Sequence, residues 1–326
     1  MNPNNLQRIF DELKAKVADS EDFYVEEFDS SLPHRLGCTI DGHPIFFIEC
    51  ADETKQPNIK LSVFSVMFNR SCNVVDAQTG NHYVKKYTVI QLSSDDVDFQ
   101  YYFLSVVYLV LKGLAARPDT TALNESLLTL ISLFANDKRP SAESIRGLFA
   151  ELVVIYLSSD VNYLLKSWHV TPQDKYDFND GIDKVEVKST KQGSRLHTFS
   201  MEQLLTTANS SLVVASIAMS QVGAGMNVYE LAALIDERLS DINLSLKLHE
   251  IIAQTAGKHF EEVSKFRFDF GMSTESYALY DSIDIPKIQP AQLAPEIKNV
   301  HFSVDLAGIQ QATSSSYTSK LISSLA

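Results

Sequence analysis

Residues 176–190 read "YDFNDGIDKVEVKST" and place an aspartate, a turn and an acid-x-lysine segment within fifteen positions. "NDGID" carries the Asp180–Gly181 pair that favours chain reversal, and "KVEVKST" alternates β-formers with polar residues, so the stretch is read as a hairpin. In its second strand alternate residues share a face. Lys184, Glu186, Lys188 and Thr190 point one way, and Val185, Val187 and Ser189 the other. One reading is bland: charges outside and valines inside describe any half-buried strand, and an acid-x-lysine pair alone decides nothing. The other starts from Asp177, nine positions before Glu186 across the turn, because a hairpin can bring both carboxylates to one end of adjacent strands. Two carboxylates suffice for a Mg²⁺ site completed by water and a phosphate. Lys188, on the face of Glu186, would then stand beside the ion and offset charge building on the phosphate.

On either side of this hairpin the pattern is α/β. "SAESIRGLFAELVVIYLSS" is an apolar helix opened by Ser141 or Ser144 as cap, with Glu151 among Leu148, Phe149, Leu152 and Val153. Glu151 either reaches solvent from the edge of the apolar stripe or contributes a further contact to the carboxylate pair. Downstream, "LHTFSMEQLLTTA" opens a helix near Ser200, Ser211–Met219 is a buried strand, and "NVYELAALIDERL" is another helix. Helices and strands in that order give an α/β (α+β) core with a mixed sheet. The first thirteen residues read as a helix on Leu6, Ile9, Phe10 and Leu13. Residues 23–92 read as a β-rich antiparallel sheet, and helices cover 97–114 and 121–134. "ANDKRPSAES" breaks the pattern, which sets an N-terminal domain at 1–138, a core at 139–246, and a C-terminal part at 247–326 whose serine-rich tail is loosely held.

The whole chain narrows the chemistry. Its 326 residues, 45% hydrophobic, exceed the usual single domain. The longest apolar run, Tyr101–Leu111, is far short of the roughly 20 residues of a spanning helix, and the start lacks a secretion signal, so a cytoplasmic protein without a membrane segment is expected. Cys38, Cys50 and Cys72 show no zinc spacing and are expected as reduced thiols. A net charge of −13 argues against holding nucleic acid by charge alone. Yet Lys184, Lys188, Lys191, Arg195 and His197 form a small basic island.

Glu151 in "GLFAEL", Trp168, Asp177 in "YDF", Glu186 and Lys188 in "EVK", Arg195, His197, and Gln203 with Leu204 together resemble the PD-(D/E)XK nuclease superfamily. More narrowly they resemble bacterial PD-(D/E)XK motif proteins of restriction and phage-defence loci. Tyr176 stands where the superfamily has proline, a backbone preference rather than a ligand. The resemblance implies a restriction-endonuclease-like core and a Mg²⁺ (or Mn²⁺) site formed by Asp177, Glu186, the carbonyl of Val187 and Glu151. It also implies Lys188 at the attacking water, DNA as substrate, defence-system partner proteins, and a possible homodimer for double-strand cutting. Gln203, Arg195, His197 and Thr190 would order the carboxylates or contact phosphate; a surface strand edge for Arg195 and His197, and a solvated Gln203, remain open. Trp168 reads as core packing and His169 is undecided. The competing reading is a catalytically silent nuclease-fold subunit of a defence complex, which the net acidity favours; a carboxylate-pair glycosidase explains Lys188 less well.

Overall fold

The computed structural model describes residues 3–16, 22–134, 139–169, 174–191, 193–205, 209–294 and 296–325. The chain divides into two compact units, Met1–Lys138 with Gly257–Glu261, and Arg139–Ala256 with Glu262–Ala326.

The first unit opens with α1 (Pro3–Lys16), whose Leu6, Ile9, Phe10 and Leu13 are all buried on one side. Strands β1 (Phe23–Glu27), β2 (Arg35–Cys38), β3 (Pro44–Ile48), β4 (Ile59–Lys60), β5 (Phe64–Asp76) and β6 (His82–Leu92) pair in the order β1-β2-β3-β6-β5-β4. The sheet is antiparallel except that β1 also pairs with β5 in parallel, so it curls until those strands meet. Ile45 and Phe47 on one face of β3 join Val25, Cys72, Val74, Tyr87 and Val89 in an apolar cluster. Phe46, on the other face, meets Phe103 of α2 (Val97–Lys112) at 6.0 Å between ring centroids. With both faces covered, β3 is buried at every residue, and its sequence is correspondingly apolar throughout. α3 (Thr120–Phe134) follows. Cys38, Cys50 and Cys72 are free thiols, Cys38 and Cys72 buried, and burial pushes Cys38 up to about 11.

The second unit begins with α4 (Ala142–Leu157), whose cap is Ser141: its hydroxyl accepts from Ser144 N at 3.0 Å. Then come α5 (Val161–Ser167), β7 (Phe178–Asn179), β8 (Lys184–Lys191), β9 (Leu196–Ser200), β10 (Leu212–Met219) and β11 (Gln221–Met226). The remainder is α6 (Val228–Asp236), α7 (Ile242–Ala256), α8 (Phe260–Val263, whose first two residues fall in the first unit), α9 (Phe270–Glu275), β12 (Ala278–Asp281), β13 (His301–Asp305) and α10 (Lys320–Ser323). The central sheet runs β12-β10-β8-β7 and is mixed: β10 and β8 are parallel, the outer pairs antiparallel. All of β10 is buried, as its unbroken apolar run requires. α4 packs along β8 and β10. A ribbon of β9 and β13 supplies Phe199, Phe302 and Val304, which join Val214 of β10 and Tyr280 of β12 in one cluster.

Two expectations are corrected here. After Ser200 the chain makes a single 3-10 turn, Met201–Leu204, in place of the helix that "MEQLLTTA" suggests; residues 206–208 lie outside the described residues. β9 remains extended through Ser200 because its ladder with β13 reaches His301.

The serine-rich tail is not loosely held. Leu321, Ile322 and Leu325 are buried, and the Ser324 carbonyl accepts from Ser158 Oγ at 2.9 Å and Ser159 N at 2.8 Å, just past the end of α4. Composition misleads here because three apolar side chains spaced among serines are enough to dock the segment. A chain ending at Thr318 should lose on the order of 5 kcal/mol, at about 1.5–3 kcal/mol for each buried apolar side chain. Denaturant unfolding measures it, and an unchanged midpoint would show the tail contributes nothing.

Candidate metal centre at the edge of the sheet

The hairpin forms as the turn chemistry dictates. Gly181 takes φ +93°, a left-handed conformation that side chains disfavour, while Asp180 Oδ1 accepts from Ile182 N and Asp183 N at 2.9 and 2.8 Å. The β7–β8 ladder pairs Asn179 with Lys184 and Phe178 with Val185, which sets Asp177 opposite Glu186. There backbone pairing stops, and Asp177 Oδ2 takes over by accepting from Val187 N at 2.6 Å. A strand residue directs its N–H and C=O to the same side, so the Val187 carbonyl faces this edge as well.

Glu186 lies opposite Val214, and Lys188 opposite Ser216, in the parallel ladder. Their face is covered by the β9–β13 ribbon and is not solvated. Glu186 is 3% exposed, which overturns the picture of charges outside and valines inside. Lys188 Nζ sits 2.8 Å from Glu186 Oε1 and 5.4 Å from the centre of the Phe199 ring. Gln203 is locked by what surrounds it: Oε1 accepts from Ser200 N at 2.9 Å and from Lys188 Nζ at 3.4 Å, which leaves Nε2 to donate to Glu186 Oε1 at 2.5 Å. A solvated Gln203 is thereby excluded. Glu186 Oε2, buried, has no hydrogen-bond partner among the described residues.

From the opposite face α4 delivers Glu151. Its side chain is mostly buried, at 14% exposure: Oε2 accepts from Trp168 Nε1 at 2.6 Å and lies 2.9 Å from His169 Nε2. Trp168 is core, as its sequence surroundings imply, at 2% exposure, and it also fixes this carboxylate. The Trp168–His169 pair is itself in register with the hairpin. Trp168 bridges Phe178, and His169 N donates to Asp177 O at 2.9 Å. One ligand atom each from Glu151, His169 and Asp177 therefore lie within 4.8 Å of one another.

Of the four carboxylate and carbonyl ligands read from the sequence, Glu151 and Asp177 meet directly in this trio. Glu186 stands across the hairpin from Asp177 and is held by Lys188 and Gln203. Electrostatics follow from the crowding. Removal from water, with the charges of Glu186 and Glu151 next, holds the Asp177 carboxyl well above the usual carboxylate range. Burial also pushes Glu186 up, against the opposing pull of Lys188. Three carboxylates lie close enough to raise one another's proton affinity, and the buried Glu186 Oε2 lacks a partner among the described residues, so the donor set fits a hard divalent cation.

Arg195, His197 and Thr190 are placed elsewhere on the same face. Arg195, just before β9, donates to the carbonyl and hydroxyl oxygens of Ser216 at 2.9 and 2.8 Å, and to the Ser276 carbonyl. His197 Nε2 is 2.7 Å from Ser216 Oγ. His197 is 3% exposed, so it is no surface strand edge. Both residues fasten β9 to β10 beside Lys188. Thr190 is buried opposite Ala218, about 13 Å along the strand from Glu186 at 3.3 Å per residue. Ser216 and the ligand-like placement of His169 were not found in the sequence. Ser216 sits in an apolar run with no signal, whereas His169 beside the tryptophan was visible but undecided.

A mixed four-stranded sheet with a helix on one face, an Asp before a short hairpin and a Glu-x-Lys on its second strand defines the PD-(D/E)XK nuclease fold. The chain belongs to the family described as "Putative PD-(D/E)XK family member, (DUF4420)", whose model matches residues 6–307. No curated protein and no solved structure matches it. Among the described residues no helix is long and apolar enough to cross a membrane.

The clamp has a pH signature. Burial, then the charges of Lys188 and Arg195, lowers His197 to about 4 from its ordinary 6.5. In the folded state it therefore binds fewer protons than in the unfolded state between those values, so its stabilising contribution, complete above about pH 6.5, is lost as pH falls toward 4. Unfolding free energy should drop over this window by on the order of 3 kcal/mol on account of His197. His197→Asn should flatten that part of the profile, as denaturant titrations at stepped pH would show.

Proposed function

We propose that the protein is a divalent-metal-dependent DNA endonuclease acting within a bacterial restriction or anti-phage system. The observation that supports this best is the meeting of Glu151 and Asp177, with His169, at one sheet edge, where Glu186 stands at the register position opposite Asp177, Lys188 lies against Glu186, and the buried Glu186 Oε2 has no partner among the described residues. Asp177, Glu186, Glu151 and the Val187 carbonyl would hold Mg²⁺ or Mn²⁺. The ion, when bound, supplies Lewis-acid polarisation of the scissile phosphate and acidifies water.

The protein's own groups do the rest. Lys188, fixed between Glu186 and Gln203, presents its ammonium to the attacking water and to charge growing on phosphorus. Gln203 holds Glu186 in one orientation, and Trp168 holds Glu151. The Arg195–Ser216–His197 clamp keeps β9, and with it Phe199, over Lys188. Water attacks phosphorus and releases a proton to solvent, the bond from phosphorus to one ester oxygen breaks, and that oxygen leaves as a hydroxyl group on taking up a proton from solvent.

The net charge of −13 favours the second reading, a silent nuclease-fold subunit of a defence complex. One experiment separates them. Supercoiled plasmid incubated with protein and Mg²⁺ or Mn²⁺, alone and with the products of neighbouring genes, should be nicked or linearised. Lys188→Ala and Asp177→Asn should each lower the rate by about a hundredfold or more while the melting curve still shows a folded protein. Cutting that survives both substitutions would assign the chemistry to another component.

A further inference from the structure

His169 lies outside the carboxylate and carbonyl set to which the nuclease reading assigns the metal, yet the fold places it there by register. The Trp168–Phe178 bridge continues the β7–β8 ladder by one more chain segment, so that His169, Asp177 and Glu186 stand side by side across three adjacent segments. His169 N donates to Asp177 O at 2.9 Å, which fixes the backbone of one to the other. The imidazole is 13% exposed, with Nε2 2.9 Å from Glu151 Oε2. Its Nδ1 is buried and has no hydrogen-bond partner among the described residues. Glu186, itself almost wholly buried, adds a second unpartnered atom, Oε2.

Resting on the metal-dependent reading above, we infer that His169 is a nitrogen ligand of the ion, so that the centre is a mixed nitrogen–oxygen site that prefers Mn²⁺, or a similar first-row divalent cation, to Mg²⁺. The chemistry follows from the donors. Mg²⁺ binds through oxygen and retains its waters, whereas imidazole suits first-row transition metals, whose affinity for nitrogen sites rises above that of Mg²⁺. Trp168 then acts as a positioning residue: by holding Glu151 with its N–H, it leaves the imidazole available to the cation.

The test is spectroscopic and independent of cleavage. Mn²⁺ is added to the full-length protein, and electron spin-echo modulation reads nuclei bonded to the ion. A ¹⁴N coupling of directly bound imidazole is expected, replaced by ¹⁵N in protein grown on ¹⁵N-histidine and lost in His169→Ala. By calorimetry His169→Ala should weaken Mn²⁺ by about tenfold or more and Mg²⁺ by distinctly less. If His169→Ala does not fold, the conservative variants His169→Gln and His169→Asn take its place, and the coupling should be lost in whichever of them folds. No Mn²⁺ binding, a spectrum with no nitrogen coupling, a coupling that persists without His169, or equal losses for both ions would overturn the inference. Plasmid cleavage without nitrogen coupling would sink His169 as ligand and leave the nuclease reading standing; nitrogen coupling without cleavage would do the reverse.

Discussion

The point at which the β7–β8 ladder stops determines the rest of the candidate site. β7 is two residues long, so beyond Val185 the outer edge of β8 has no backbone neighbour among the described residues, and the part-buried N–H of Val187 at that edge needs another acceptor. Asp177 meets the need with its side chain. A carboxylate where a carbonyl would otherwise stand converts a strand edge into a negatively charged notch. The neighbouring registers then fill it: Glu186 one strand across, His169 on the preceding segment, and Glu151 from the helix packed behind. Had β7 continued by backbone pairing, the same residues would sit in an ordinary sheet with its edge closed.

Gathering three carboxylates around one lysine in a partly dry site carries a cost in the protein alone, and the surroundings show how it is contained. Each carboxylate is engaged by neutral N–H donors or by Lys188: Val187 N for Asp177, Gln203 and Lys188 for Glu186, Trp168 for Glu151. These contacts orient the oxygens, while burial and the neighbouring carboxylates raise the proton affinity of Asp177 and Glu186. On the proposed reading a bound cation would relieve that repulsion. The Arg195–Ser216–His197 clamp serves the same arrangement from outside the notch. It holds the β9–β13 ribbon, and with it Phe199, over Lys188, which restricts Lys188 to the vicinity of Glu186.

Local chemistry made much of this legible in the sequence. The Asp180–Gly181 turn, the alternation of "KVEVKST", the Ser141 cap and the apolar run of β10 each follow from neighbours within a few residues, and each appears where those neighbours direct. The family resemblance carried by Glu151, Asp177, Glu186 and Lys188 is met by the family match. What escaped was set by distant partners. That Glu186 is buried depends on the ribbon, whose second strand lies more than a hundred residues downstream. Arg195 and His197 read equally well as a surface edge until Ser216, twenty-one and nineteen residues on, is seen to receive both. His169 gained its place from a single β-bridge that no periodicity announces. The tail's serine-rich composition hides the three apolar side chains, Leu321, Ile322 and Leu325, that dock it.

The same contacts revise how an acidic chain would hold a polyanion. The basic island noted from sequence is largely turned inward: Lys184 Nζ donates to Ser210 Oγ and the Ile182 carbonyl, Lys188 is paired with Glu186, and Arg195 is committed to Ser216 and Ser276. Lys191 is the member that stays exposed. Such a surface releases few counterions when it meets a phosphate backbone, so on the proposed reading its affinity would vary little with salt and would depend on the bound cation or on a partner's charges. The notch would then recognise one phosphate at the point of reaction, and the run of the strand would be held by something other than this face.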